Sequence, residues 1–233
     1  MAEGHDTDLR AYLSSLSLFK GVDGDVCERL AASASAASYD RAGRIFSEAD
    51  DINSIFLVRE GWVKILRETV AGKTVLFDLR GPGDLVGAVA VLDQRPMPAT
   101  AMAATHVELL SFPGKEFIAM LREHPELGLN YSREVGGRMR TARDWQTRTV
   151  SSVETRIALL FLWLEDLVGG RKDGELRMPR LLTRQEIADM VGTTVETSIR
   201  TLSKWSKQGL LVTEEEEFVI KDPTQLERLS QQP

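Results

Sequence analysis

The chain has 233 residues, 42% of them hydrophobic and 27% charged, which suits two modest domains with a core that needs no staple. Its single cysteine, Cys27, excludes a disulfide framework within the chain and fits a reducing compartment. A formal net charge of −6 argues against a uniformly basic nucleic-acid-binding protein, so any such role must rest on local charge.

The first residues, MAEGHDTDLR, lack a basic segment followed by an apolar run, so no secretory signal is expected. The most apolar stretch, residues 157–168, contains Glu165 and Asp166 and is too short to span a bilayer. The expectation is a cytoplasmic protein with no membrane partner. Residues 9–34 read as helical, with Leu9, Tyr12, Leu13 and Leu16 at helix spacing, and Cys27 belongs to the core of these helices.

From about residue 36 to 113 the pattern shortens to strands. IFLVREGWVKILRE reads as a β-hairpin with its turn at Glu60-Gly61. TVLFDLRGPGDLVG follows, broken at residues 81–83, and then ATAMAATHVELLSFP ends at Pro113. Short strands with Gly-rich turns indicate a compact β-barrel or roll.

Beyond residue 115 the period is helical. Lys115 to Glu123 is a short helix, and Pro125 opens a long one reaching about residue 149. Its apolar stripe runs through Leu127, Tyr131, Val135, Met139, Ala142 and Trp145 or Gln146, close to a coiled-coil period, with Gly136 and Gly137 interrupting it. Spacing alone leaves two readings open: a helix packed on its own domain, or a dimer helix. A second strong helix covers residues 154–168, and the following GGRKDGE reads as a polar, flexible loop.

The informative block is LLTRQEIADMVGTTVETSIRTLSKWSKQGLLV, residues 181–212. Thr183 with Glu186 three residues on is a capping box. Gly192 permits a tight turn, Thr194 is an N-cap with Thr197 three residues on, and Gly209 ends a second helix. Two short helices around a Gly turn match a helix-turn-helix. The second helix carries Val195, Glu196, Ile199 and Arg200 where a recognition helix meets base edges; Arg200 can donate twice to guanine, and Glu196 can accept from cytosine. Thr183, Arg184 and Gln185 open the preceding helix, whose amide-rich end suits a phosphate. Residues 177–207 hold six Lys or Arg against three acids, a local surplus of +3. LLVTEEEEFVI then reads as a wing with an acidic tip that repels phosphate. The competing reading is an ordinary helical hairpin with a Glu196–Arg200 pair.

On these residues the chain resembles the CRP/FNR family of bacterial transcription regulators over about residues 15–225. The likeness is carried by LTRQEIADMVGTTVETSIR, and by GWVKI and GPGDLVGAVAVLD in the roll. It implies an α+β architecture: helices and a double-stranded β-roll sensor (residues 1–123), a long dimerisation helix (124–150) and a winged helix-turn-helix (151–233). Double-stranded DNA, a second copy of the chain and RNA polymerase are the implied partners, and a small effector is implied at Gly87, Ala88, Val89, Pro98, Ala99, Thr100, Ala142 and Arg143. Dimerisation falls to Tyr131, Val135, Met139, Ala142 and Trp145.

The departures narrow the effector. Members that bind cyclic AMP place Glu directly after the Gly of this segment and an Arg-Ser or Arg-Thr pair about ten residues on. Here Ala88 follows Gly87, and Pro98 and Ala99 stand in place of the pair, so the cation for a cyclic phosphate is missing. An iron–sulfur cluster is excluded by one cysteine. A haem-binding, nitric-oxide-responsive branch stays open, since MPATAMAA is similar to its strand; His5, His106, His124 and the Met side chains are the candidate ligands, and an unidentified metabolite is favoured over haem. Val195 with Glu196 resembles the FNR branch and implies an inverted repeat of TTGAT-like half-sites. That branch has Ser where Ile199 stands, which leaves the outer base of each half-site unassigned. No paired carboxylates, no Ser–His–Asp ordering and no Walker motif suggest an enzyme.

Overall fold

In a computed structural model of the chain, the described residues are 3–69, 72, 74–147, 151–168 and 170–231, with side chains described outside 3–8 and 141–147. Two compact units divide near residue 141.

The first unit opens with α1 (Glu3–Ser15), a 3-10 turn at Ser17–Phe19, and α2 (Gly24–Ser33). Leu9, Leu13, Val26, Cys27 and Leu30 all face its core. Eight strands follow: β1 (Ser35–Tyr39), β2 (Arg44–Phe46), β3 (Ser54–Glu60), β4 (Val63–Glu68), β5 (Thr74–Arg80), β6 (Leu85–Val86), β7 (Thr100–Ala103) and β8 (Val107–Pro113). They form two four-stranded antiparallel sheets, ordered β1-β8-β3-β6 and β2-β7-β4-β5. α3 (Ala88–Asp93) sits between β6 and β7, and α4 (Gly114–Glu123) follows β8.

One expectation fails here. Residues 55–68 do not form a hairpin: β3 pairs with β8 and β6, and β4 pairs with β5 and β7, so the chain changes sheets at Gly61. The corner is held from far along the chain. The Trp62 amide donates to Thr105 Oγ1 at 3.0 Å and Ala104 donates to the Trp62 carbonyl at 2.7 Å. Gly61 has φ +81°, and a Cβ there would lie 2.0 Å from the His106 carbonyl oxygen, so only glycine fits.

The long helix α5 (Pro125–Thr147) is unbroken through Gly136 and Gly137. Its expected stripe splits. Leu127 is buried, and Tyr131 meets Phe117 edge-on with ring centroids 6.5 Å apart. Glu134 and Arg138 continue this inward line, not Val135 and Met139. Arg138 pairs with Asp84 in the β5–β6 turn, lies 3.6 Å from Asp78 on β5 and 3.9 Å from Glu134, and donates to the Leu79 carbonyl at 3.4 Å. Arg80 also holds Asp78, at 2.7 Å. Charged residues thus take helix positions that hydrophobic spacing alone would miss, because their partners lie on β5 and the turn after it, 50 or more residues upstream.

Burial and the nearby Asp84 carboxylate push the Glu134 carboxyl above its ordinary range, against the opposing pull of Arg138 and Arg80. A raised native pKa means that the ionised form costs the folded state free energy. That cost is absent below the ordinary value of 4.5, grows as pH rises from there to the raised value, and is complete above it. Glu134→Gln is therefore expected to raise the melting temperature at pH 7–8, with the gain shrinking to nothing in acid. Calorimetry across pH checks it; an uncharged variant no more stable than the parent at pH 8 would contradict the assignment.

The second unit contains α6 (Val153–Val168), β9 (Arg171–Lys172), β10 (Glu175–Pro179), α7 (Arg184–Met190), α8 (Val195–Lys207), β11 (Leu211–Thr213), β12 (Glu217–Ile220) and α9 (Pro223–Ser230). The strands form one sheet, β11-β12-β10-β9. Residues 170–175 are not a loose loop, as their polarity suggests. They turn tightly between β9 and β10 at Asp173 (φ +53°) and Gly174 (φ +79°), the two consecutive left-handed residues of a type I′ turn. Phe161 on α6 anchors the core, with ring centroids 5.9 Å from Trp205 and 5.4 Å from Phe218.

Candidate nucleic-acid interface

Helices α7 and α8 and the turn between them are set by local chemistry. Thr183 Oγ1 accepts from the Glu186 amide at 3.2 Å, and Glu186 Oε2 accepts from the Thr183 amide at 2.7 Å, which completes the capping box. α7 stops at Val191, and Gly192 turns the chain with φ +65°. Thr194 then caps α8, its Oγ1 accepting from the Thr197 amide at 3.2 Å. The far end closes at Gly209 (φ +74°), where the Leu210 amide reaches back to the Trp205 carbonyl at 2.9 Å.

One side of α8 is core and the other is open. Ser198, Leu202 and Trp205 are buried. Thr194, Glu196, Ile199 and Arg200 are exposed, and Val195 and Thr197 are half-buried. Ile199 is a large apolar side chain left 47% exposed beside Arg200. Among the described residues neither Glu196 nor Arg200 forms an ion pair, so the Glu–Arg pair of an ordinary surface hairpin is not made.

The residues opening α7 are less free. Arg184 turns back onto the sheet: it donates to Thr213 Oγ1 at 3.1 Å and lies 5.2 Å over the Phe218 ring. Burial and the Arg180 charge push its pKa down. Gln185 donates to Asp189 at 3.0 Å, and the Thr183 hydroxyl is occupied by its cap. The local basic surplus is also partly spent. Arg177 is engaged with Glu175, Glu214 and Glu217, and Lys204 with Glu154.

Two anchors on α6 hold α8, and the sequence reading included neither. Glu154 accepts from Trp205 Nε1 and from Lys204 Nζ, each at 2.8 Å, and the two bonds hold its carboxyl below the ordinary range against the cost of burial. The other anchor, Arg156, donates to backbone carbonyls of the turn between α7 and α8. Nothing in the local pattern marks either residue, because each lies on an apolar helix 35 or more positions before the partners on α8 or its preceding turn.

In the first unit, the first proposed effector stretch meets Met97, the residue just before the second. Gly87 (φ +81°) precedes α3, and Met97 Cε lies 3.1 Å from where a Gly87 Cβ would stand. Ala88 and Ala99 are buried, Val89 and Pro98 are exposed, and Thr100 Oγ1 accepts from the Glu48 amide at 3.0 Å. Arg95 in the same loop is exposed. The side chains of Ala142, Arg143 and Trp145 lie outside the described residues, as does that of His5. His106 is on the surface, 3.2 Å from Asp40, and His124 follows the last turn of α4. Among the described residues no helix is long and apolar enough to cross a membrane.

Comparison with known proteins agrees with this arrangement. A family model described as cyclic nucleotide-binding domain matches residues 37–124, and one described as Crp-like helix-turn-helix domain matches residues 155–229. The chain is 26% identical to the CRP-like cAMP-activated global transcriptional regulator of Mycobacterium tuberculosis, covering 93% of this chain and 97% of that one. It is 27% identical to the nitrogen fixation regulation protein FixK of Bradyrhizobium diazoefficiens, over 80% and 78% of the two chains. The solved structure of FixK2 from Bradyrhizobium japonicum superposes with a TM-score of 0.72 over 86% of this chain and 98% of that one; at 19% identity that likeness shows the fold.

Proposed function

The chain belongs to the CRP/FNR family of DNA-binding transcription regulators, and from that premise we propose that it acts as a homodimer on an inverted repeat of TTGAT-like half-sites. Two copies of α8 enter successive major grooves about one helical turn apart. Control comes from a small effector other than cyclic AMP. The protein performs no catalysis, works in the cytoplasm and meets RNA polymerase at its promoters.

The observation that carries this reading is the open face of α8, with Glu196, Ile199 and Arg200 exposed and, among the described residues, without ion partners. A guanidinium free of carboxylates is available for guanine O6 and N7, and the Ile199 methyl groups suit thymine. Arg200→Ala is expected to weaken operator binding by about 1–3 kcal/mol and to relax one base position of each half-site. Selection from a random duplex pool, followed by gel shift, measures both. An unchanged palindrome bound with unchanged affinity would remove Arg200 from the reading face.

Dimerisation is supported by the outward line of α5. Met139 is 68% exposed, Ser132 is exposed, Val135 and Gly136 are partly so, and outside the helix's own backbone Arg140 Nη1, at 3.6 Å, is the only described atom within 4 Å of a Cβ placed on Gly136. That leaves room for a second helix to approach closely. Tyr131, by contrast, packs into its own unit.

The effector reading rests on the segment around Gly87. Relatives from Mycobacterium tuberculosis and Thermus thermophilus carry cyclic AMP in their names, at 26% and 29% identity. Here the segment offers Ala88, Pro98 and Ala99, while Arg80 and Arg138 are already bound to carboxylates. Neither of these two guanidiniums is uncommitted, which leaves, among the described cations of this segment, only the solvent-exposed Arg95 of the same loop, not a buried clamp for a phosphodiester. Titration calorimetry with cyclic AMP is expected to show no binding at micromolar concentrations, and saturable heat would overturn this part. Mass spectrometry of small molecules co-purifying with the chain is the direct route to the effector.

A further inference from the structure

Arg156 lies one turn into α6 and spends its guanidinium on backbone. Nε donates to the Val191 carbonyl at 2.7 Å, Nη2 reaches the Gly192 carbonyl at 3.5 Å, and Nη1 donates to the Ser151 carbonyl. Among the described residues it forms no ion pair. Val191 is the C-cap of α7 and Gly192 the left-handed residue of the turn. Carbonyls at a helix C-terminus lack intrahelical donors and carry the negative end of the helix dipole, so a cation placed there satisfies both needs at once. The rigid, planar fork of arginine can serve several carbonyls together, which a single ammonium on a flexible stem does poorly.

We propose that Arg156 is a positioning residue for DNA recognition: it ties the turn that precedes α8 to α6 and so fixes where the N-terminal turns of α8 point. The geometry is a two-point mount. Glu154 holds α8 near its C-terminal end through Lys204 and Trp205, and Arg156 holds the turn three to four residues before Val195. Without Arg156 the end bearing Glu196 and Arg200 loses its tie to α6 and keeps only the burial of Ser198 and the turn's own backbone bonds, while the far end stays fixed by Glu154. The base-reading side chains stay present but are no longer pre-aimed. The inference rests on α8 being the reading helix.

The test uses the full chain and the duplex that the parent enriches from a random pool. Arg156→Ala, Arg156→Lys and Arg200→Ala are compared by gel shift over a salt series, with melting curves to fix the folded fraction. Arg156→Ala is expected to bind about tenfold or more weaker per folded molecule, comparable with losing one good base contact, and Arg156→Lys to recover part of this. The slope of affinity against salt stays at the parental value, because no phosphate contact is removed. A slope shallower by about 0.9 would make Arg156 a phosphate ligand and overturn the proposal. Parental affinity in Arg156→Ala with weakened Arg200→Ala also overturns it and leaves the reading of α8 intact. Parental affinity in Arg200→Ala removes the reading of α8 and this inference with it. If the alanine variant fails to fold, Arg156→Lys decides: several-fold weaker binding at unchanged slope supports the proposal, and parental affinity refutes it.

Discussion

Trp205→Ala is expected to cost the second unit about 3–5 kcal/mol, the usual toll for emptying a fully buried indole site. Trp205 has no solvent exposure, stacks edge-on against Phe161, and gives its Nε1 hydrogen to Glu154. Truncation leaves a cavity between α6 and α8 and removes one of the two donors that offset the desolvation of the Glu154 carboxylate. For a unit spanning residues 142–233 the loss corresponds to more than about 10 °C in melting temperature. Trp205→Phe keeps most of the volume and loses the donor, so its deficit is smaller, about 1.5–3 kcal/mol for a hydrogen bond to a charged group. Calorimetry and denaturant unfolding measure both variants; an alanine variant melting within 2 °C of the parent would show that the site repacks freely.

The second large effect is expected at Arg138. It lies among Asp78, Asp84 and Glu134, with 20–23% of each side chain accessible. Removing one partner of a buried ion pair costs about 3–5 kcal/mol, chiefly because the survivors stay desolvated and unpaired. Partial solvent access lowers this here to about 2–3 kcal/mol for Arg138→Ala, since water takes up part of the lost interaction. Arg80 still covers Asp78, so the uncompensated charges are Asp84 and Glu134. Combining Arg138→Met with Asp84→Asn and Glu134→Gln is expected to recover most of the loss, because no unpaired charge then remains. Urea unfolding at neutral pH gives both numbers. A triple variant as unstable as the single one would mean that the stem of Arg138, not its charge, holds β5 to α5.

How much of this was readable beforehand depended on how far each deciding contact lies along the chain. The capping box of Thr183 and Glu186, the turn at Gly192, the cap at Thr194 and the stop at Gly209 are settled within a few residues, and all stand where the sequence pattern places them. The corner at Gly61 looks the same locally whether the strands on either side pair with each other or separate into two sheets. The choice is made by Thr105 and His106, more than 40 residues away. The Asp173-Gly174 turn was legible as a hairpin signal but was masked by charged flanks without β-branched residues. On α5 the apolar rule pointed to Val135 and Met139 as the continuation of Leu127 and Tyr131, whereas Glu134 and Arg138 face inward because acids on β5 and the following turn await them. The anchors Glu154 and Arg156 belong to the same class: chemically ordinary residues whose roles are assigned by elements folded later in the chain.

The wing carries its own counter-charge, since Arg177 is committed to Glu175, Glu214 and Glu217 rather than left facing outward. On a chain of net charge −6, Arg200 and Lys207 are the exposed cations of α8 that form no ion pair among the described residues. Affinity for random duplex comes almost wholly from displaced counterions, so it stays low. If α8 is the reading helix, as proposed, such a protein is expected to slide little, sampling DNA by brief landings and departures and lingering where base edges meet Arg200.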